Sequence, residues 1–216
     1  MRRNLDYRLY LVTDRTMVKN RSLSELVEIA VDNGVTVVQL RDKESGIKEF
    51  TRQALKLRQV LKPYRIPLII NDRVEVALAV DADGIHLGQS DMDPAEARYL
   101  LGNDKIIGLS VENEQDVDRA EELDVDYLGV SPIFSTPTKT DTIGAWGLNG
   151  LSEISRKSRR KLVAIGGLDY SNAMQVIRNG ADGIAVVSAI CAADNPAAAT
   201  QQLRLLIDRA LADRET

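Results

Sequence analysis

The chain has 216 residues, 44% of them hydrophobic, and 28 basic against 32 acidic side chains leave a formal charge of −4. That length supports one domain with a full core over residues 1–216, and the lack of a basic stripe or interleaved aromatics argues against nucleic acid as a partner. Cys191 is the only cysteine, so there is no internal disulfide or cysteine metal cage. No apolar stretch is long enough to cross a membrane, and the run from Leu9 to Val12 is too short for a signal peptide, so a cytoplasmic protein is expected.

Along the chain, short apolar runs rich in Val, Ile and Leu alternate with helical patterns. The first run covers about residues 8–13, and Leu23, Leu26, Val27, Ala30 and Val31 then recur at helical spacing. Ser22 with Glu25 makes a capping box, and Asn33-Gly34 sits where the helix should end. The second run, 35–41, leads through Gln39, Arg41 and Lys43 to a stripe of Phe50, Ala54, Leu57 and Leu61. Runs three and four, 67–71 and 84–88, end near Asn71-Asp72 and Gln89-Ser90-Asp91. The fifth, 105–110, ends at Ser110, and the sixth covers 126–131. From Pro132 to Trp146 no helix or strand is predicted, which marks a binding loop or lid carrying Lys139. Runs seven and eight, 162–166 and 183–188, close on Gly166-Gly167 and Val187-Ser188. Ala-Asp-Gly-Ile occurs at both 82–85 and 181–184, a faint echo between two strand entrances.

Eight strands without clean alternation, each followed by a helix, predict a (β/α)8 TIM barrel of the α/β class; a flavodoxin-like open sheet is the rival. In a barrel the polar clusters converge on one mouth, a composition suited to a metal-bound, phosphorylated substrate. Asn71 and Asp72 could simply cap the next helix. Asp91 is not needed as a cap, because Asp93-Pro94 with Glu96 already starts its helix, and Asp72 with Asp91 therefore predicts a Mg2+ site. Arg41, Lys43 and, from the long loop, Lys139 can hold phosphate oxygens. Asn113 is available as the cap after strand five, which leaves Ser110 free to meet a ligand. Gly166-Gly167 fits a tight turn, and with Val187-Ser188 it also occupies the usual phosphate-binding end of a barrel. His86 is the only histidine; a catalytic dyad is one reading of it, but with no nucleophile signature around it a packed or supporting role is expected.

In this order and spacing the clusters resemble the thiamine phosphate synthase family over essentially the whole chain. The resemblance rests on Leu11-Val12-Thr13-Asp14, residues 38–43 (Val-Gln-Leu-Arg-Asp-Lys), Ile70-Asn71-Asp72, residues 84–89 with Asp91, and residues 107–110. It continues through residues 131–139, Ala164-Ile165-Gly166-Gly167 and residues 183–188. It implies a transferase that joins 4-amino-2-methyl-5-pyrimidinylmethyl diphosphate to a thiazole phosphate by a dissociative route with one Mg2+. By matching position, Gln39, Leu40, Arg41, Asp42, Lys43, Asn71, Ser110 and Lys139 would bind the pyrimidine diphosphate. Arg41, Lys43, Lys139 and Ser110 would carry the catalysis, and Asp72 and Asp91 would hold Mg2+. Thr136, Pro137, Thr138, Gly167, Val187 and Ser188 would bind the thiazole phosphate. The alternatives are a thiazole tautomerase of the same barrel group and a non-catalytic precursor-binding barrel. Oligomeric state has no signature in the sequence.

Overall fold

Eight short strands pair in parallel, each with its neighbour in the chain, and the last returns to the first. They are β1 Leu9–Val12, β2 Val37–Leu40, β3 Leu68–Asn71, β4 Gly84–Leu87, β5 Ile106–Val111, β6 Tyr127–Val130, β7 Lys161–Ile165 and β8 Gly183–Val186. The computed structural model describes residues 5–135 and 144–214. Pairing of Leu9 with Ile184 and Leu11 with Val186 closes the ring, which excludes the open sheet.

The strands are apolar throughout because both faces are covered. One face, with Leu11, Val38, Leu40, Ile70, Ile85 and Leu128, packs against the helices; the other, with Tyr10, Val37, Ile69, Ile106, Tyr127, Val163 and Ala185, fills the barrel. The helices are α1 Leu23–Asp32, α2 Ile47–Leu61, α3 Val74–Ala79, α4 Pro94–Leu101, α5 Glu114–Glu122, α6 Gly147–Lys157, α7 Ala173–Arg178, α8 Ser188–Cys191 and α9 Pro196–Ala212. The Ser22–Glu25 capping box forms on α1, Asp93 caps α4 with Pro94 in its first turn, and Asn113 caps α5. One expectation is corrected: the eighth unit carries two helices, α8 and α9. Pro196 disfavours helix at the residue before it, and Asn195 starts α9 afresh by accepting the Ala198 N–H.

The repeated Ala-Asp-Gly-Ile has a structural cause. Asp83, just before β4, accepts the N–H of Leu68 in β3 at 3.0 Å, and Asp182, just before β8, accepts that of Leu162 in β7 at 2.9 Å. Asp126, before β6, takes the N–H of Ile107 in β5 at 2.8 Å, and Thr36, before β2, takes that of Leu9 in β1 at 3.2 Å. A side chain thus clamps each odd strand to its even neighbour at the N-terminal rim. Asp126 also receives Arg98 of α4 at 2.9 Å; Arg98 is buried and bonds the carbonyls of Gly102, Lys105 and Asp124 as well. Among the described residues, no helix is long and apolar enough to cross a membrane.

Candidate active site

The C-terminal ends of the strands surround a cavity of about 960 Å³. Its wall holds Gln39, Arg41 and Lys43 from β2 and the loop after it, Asn71 and Asp72 from the end of β3, and His86 and Asp91 from β4 and its loop. Ser110 comes from β5, Gly167 follows β7, and Val187 and Ser188 follow β8. Residues scattered from 39 to 188 are brought together because parallel strands all present the same end to one mouth.

β2 ends at Leu40, and just beyond it the Arg41 N–H donates to Thr13 Oγ1 at 3.1 Å. Beyond it the loop is braced from inside. Asp42 accepts the N–H groups of Glu44 and Ser45 at 3.0 Å each, and Arg73 stacks over Phe50 and donates to the Ser45 carbonyl at 3.1 Å. Burial alone would raise the Asp42 carboxyl, but the bonds from Ser45 and Glu44 and the charge of Arg15 outweigh it and hold it below the usual range. The Leu40 side chain lies in the core outside the barrel, and neither it nor Asp42 lines the cavity. Asp42 shapes the loop that offers Arg41 and Lys43. Arg15 and Lys19 are engaged outside the cavity, Arg15 with Asp42 and Glu44, Lys19 with Asp194.

Asn71 and Asp72 do not cap α3, whose N-cap is Arg73 with no side-chain cap bond. Asp72 instead has a left-handed backbone, φ 63°, fixed by its N–H donating to the His86 carbonyl at 2.9 Å. Such a conformation costs of order 1 kcal/mol and is tolerated best by Asn and Asp. Asp91 is fixed from its own loop, its carboxylate accepting the Gly88 N–H at 2.7 Å. The Asp72 and Asp91 carboxyls come within hydrogen-bonding reach of each other. Burial first, and then the charge of Asp91, push the Asp72 pKa up to about 6, against the pull of Lys43 and Arg41.

Two facing carboxylates that resist joint ionisation suit a cation between them. Among the described residues no group of three or more His, Cys, Asp or Glu is placed to hold a metal ion. A metal at Asp72 and Asp91 would therefore take its other ligands from water and substrate oxygens, as Mg2+ prefers.

Gly166 and Gly167 have φ of 105° and 64°, and a Cβ on Gly166 would lie 2.7 Å from Pro132 Cβ. The turn requires glycine, and it also brings Gly167 to the cavity wall. Thr136, Pro137, Thr138 and Lys139 lie outside the described residues. Sequence reasoning missed Tyr10, Tyr127, Glu112, Asp169 and Tyr170, all of which line the cavity. Two tyrosines inside otherwise aliphatic or glycine-containing strands were the available signal.

A family model described as thiamine monophosphate synthase matches residues 9–190. The chain belongs to the thiamine monophosphate synthase family. Membership makes it a transferase. A thiamine-phosphate synthase of Albidiferax ferrireducens is 56% identical over 201 residues, covering 93% of this chain and 92% of the relative. One from Vibrio campbellii is 50% identical over 197 residues, covering 91% and 96%. The solved thiamine phosphate pyrophosphorylase of Pyrococcus furiosus superposes with a TM-score of 0.87 at 36% identity, covering 95% of this chain and 98% of that one. A 3-hexulose-6-phosphate synthase, at 19% identity and a TM-score of 0.66, shares the fold alone. This thiamine monophosphate synthase family member thus matches its relatives across the whole barrel.

Proposed function

We propose that this chain condenses 4-amino-2-methyl-5-(diphosphooxymethyl)pyrimidine with thiazole phosphate, giving thiamine phosphate and pyrophosphate. The observation that carries the reading is one cavity with two chemically distinct sides. Arg41, Lys43 and the Asp72–Asp91 pair stand at β2–β4, while Gly167, Val187 and Ser188 stand across the ring at β7–β8. The first side fits the diphosphate and the second the thiazole phosphate, with Gln39, Asn71 and Ser110 at the pyrimidine between them. Lys139, Thr136, Pro137 and Thr138 join these sets by position in the sequence.

The reaction breaks the bond between the pyrimidine methylene carbon and the bridging oxygen, whose electron pair leaves with pyrophosphate. The resulting cation is spread over the aminopyrimidine, and the thiazole nitrogen lone pair then closes the new C–N bond. That nitrogen carries no proton, so no general base is required, and the cavity wall does not need an acid–base pair for it. Mg2+, held by Asp72 and Asp91 when bound, would neutralise charge on the departing diphosphate. Arg41 and Lys43 act where negative charge grows, and so stabilise the transition state more than the bound substrate.

Mixing the purified protein with both substrates, with and without Mg2+, tests the reading by formation of thiamine phosphate. Absence of product while thiazole phosphate still binds would favour the tautomerase or binding-barrel alternatives. Ser188→Asp is expected to raise KM for the thiazole phosphate by about 10-fold or more through like-charge repulsion. A rise confined to the pyrimidine diphosphate would reverse the two sides of the cavity.

A further inference from the structure

A continuous run of hydrogen bonds crosses the barrel beneath the cavity. Gln39 Nε2 donates to Tyr10 OH at 2.9 Å, and Tyr10 OH lies 2.8 Å from Tyr127 OH. Tyr127 OH is 2.9 Å from His86 Nδ1, and His86 Nε2 is 2.9 Å from Ser110 Oγ. The members come from five strands, β1, β2, β4, β5 and β6. Room for them is built in: a Cβ on Gly108 would collide with the Tyr127 ring, and one on Gly129 would lie 2.9 Å from His86 Cε1. Both phenols are almost wholly buried, and burial keeps them protonated.

Each hydroxyl has one hydrogen to give and two lone pairs to receive, and the Gln39 amide donates into Tyr10. The contact lengths fit either direction beyond that point, and the order that gives every hydroxyl hydrogen an acceptor runs from Tyr10 to Tyr127 and from Tyr127 to His86 Nδ1. The proton of a neutral imidazole is thereby placed on Nε2, which donates to Ser110 Oγ. Ser110, its oxygen occupied from the wall, turns its hydrogen toward the cavity.

We propose that Tyr10, Tyr127 and His86 are positioning residues that hold His86 as the Nε2–H tautomer and present Ser110 to the substrate as a hydrogen-bond donor. The substrate partner is then an acceptor atom of the pyrimidine diphosphate. This rests on the assignment of Ser110 to that substrate.

His86 is the only histidine in the chain, so 15N-histidine labelling of the full protein gives one imidazole to read. The spectrum is expected to show a neutral ring protonated at Nε2. Tyr127→Phe removes the donor to Nδ1 while keeping the ring, which packs on Tyr7 with centroids 4.9 Å apart. It is expected to mix the tautomers and to lower kcat/KM for the pyrimidine diphosphate by about 10-fold, the value of one hydrogen bond, without changing KM for thiazole phosphate. Tyr10→Phe, which leaves the Tyr127–His86 bond in place, is expected to shift both readouts the same way but less, and it serves if Tyr127→Phe does not fold. An Nδ1–H ring in the wild-type protein would overturn the proposal, as would folded variants with unchanged tautomer and kinetics. A wild-type protein that makes no thiamine phosphate yet shows the Nε2–H ring would sink the function reading and not the hydrogen-bond order. An active enzyme with the opposite tautomer would do the reverse.

Discussion

Asp91→Asn is expected to raise the Mg2+ concentration needed for half-maximal activity by about 10²-fold, the upper range for losing even a supporting partner of a metal site. The fold should survive, because an asparagine oxygen can still accept the Gly88 N–H that Asp91 accepts at 2.7 Å. Acidity offers a second readout. Without metal, burial and then the Asp91 charge raise the Asp72 pKa to about 6 from an ordinary 3.8. Below about pH 6, Mg2+ must displace that proton, so its apparent affinity should fall towards tenfold per pH unit. The sign for stability is the opposite. The folded protein keeps a proton that the unfolded chain loses near pH 3.8, so this contribution is present at acid pH and lost as pH rises through about 6. Asp91→Asn removes the repelling charge, so Asp72 should ionise more easily and the pH dependence of Mg2+ binding should flatten. Magnesium titrations at pH 5.5 and 7.5 that coincide in the wild-type protein would remove Asp72 from the metal assignment.

Asp126→Ala is expected to cost about 3 kcal/mol of stability, the range for breaking one side of a buried charge pair. Its carboxylate serves two partners at once, the Ile107 N–H at 2.8 Å and Arg98 at 2.9 Å. Arg98, whose side chain is 8% exposed, would keep only carbonyl oxygens and the half-exposed Asp124. Asp182→Ala is the comparison, because Asp182 takes the Leu162 N–H and an exposed lysine, Lys161, and should cost only about 1–1.5 kcal/mol. Denaturant midpoints of the two variants measure the difference; equal losses would show that water reaches Arg98. Both sites lie at the N-terminal rim, so kcat should be unchanged in each variant while it stays folded.

The barrel was legible because a strand buried on both faces must be apolar along its length, and Gly, Asn and capping residues punctuate the gaps. The polar clusters were legible because charged or amide groups at the ends of such strands have no core to enter. What stayed hidden depended on orientation. Asp42 stands between two cavity cations, Arg41 and Lys43, yet its carboxylate turns back into its own loop, which spacing cannot reveal. Asn71 and Asp72 look like caps until α3 is seen to begin at Val74. Tyr10 and Tyr127 look like ordinary core, since only the barrel closure brings residues 117 positions apart into a hydrogen bond. The two helices of the eighth unit read as one because the break between them is short.

The pairing of β1 with β8 has a consequence for how the chain is made. Within this barrel β1 leaves the ribosome before β8, so one edge of β1 goes without its final partner until β8 has followed. An unpaired apolar edge can pair with other chains, and slowing translation late in the message would lengthen that exposure. For this barrel the interval before β8 emerges is the time of greatest risk, and a chaperone that shelters β1 would have most to contribute then.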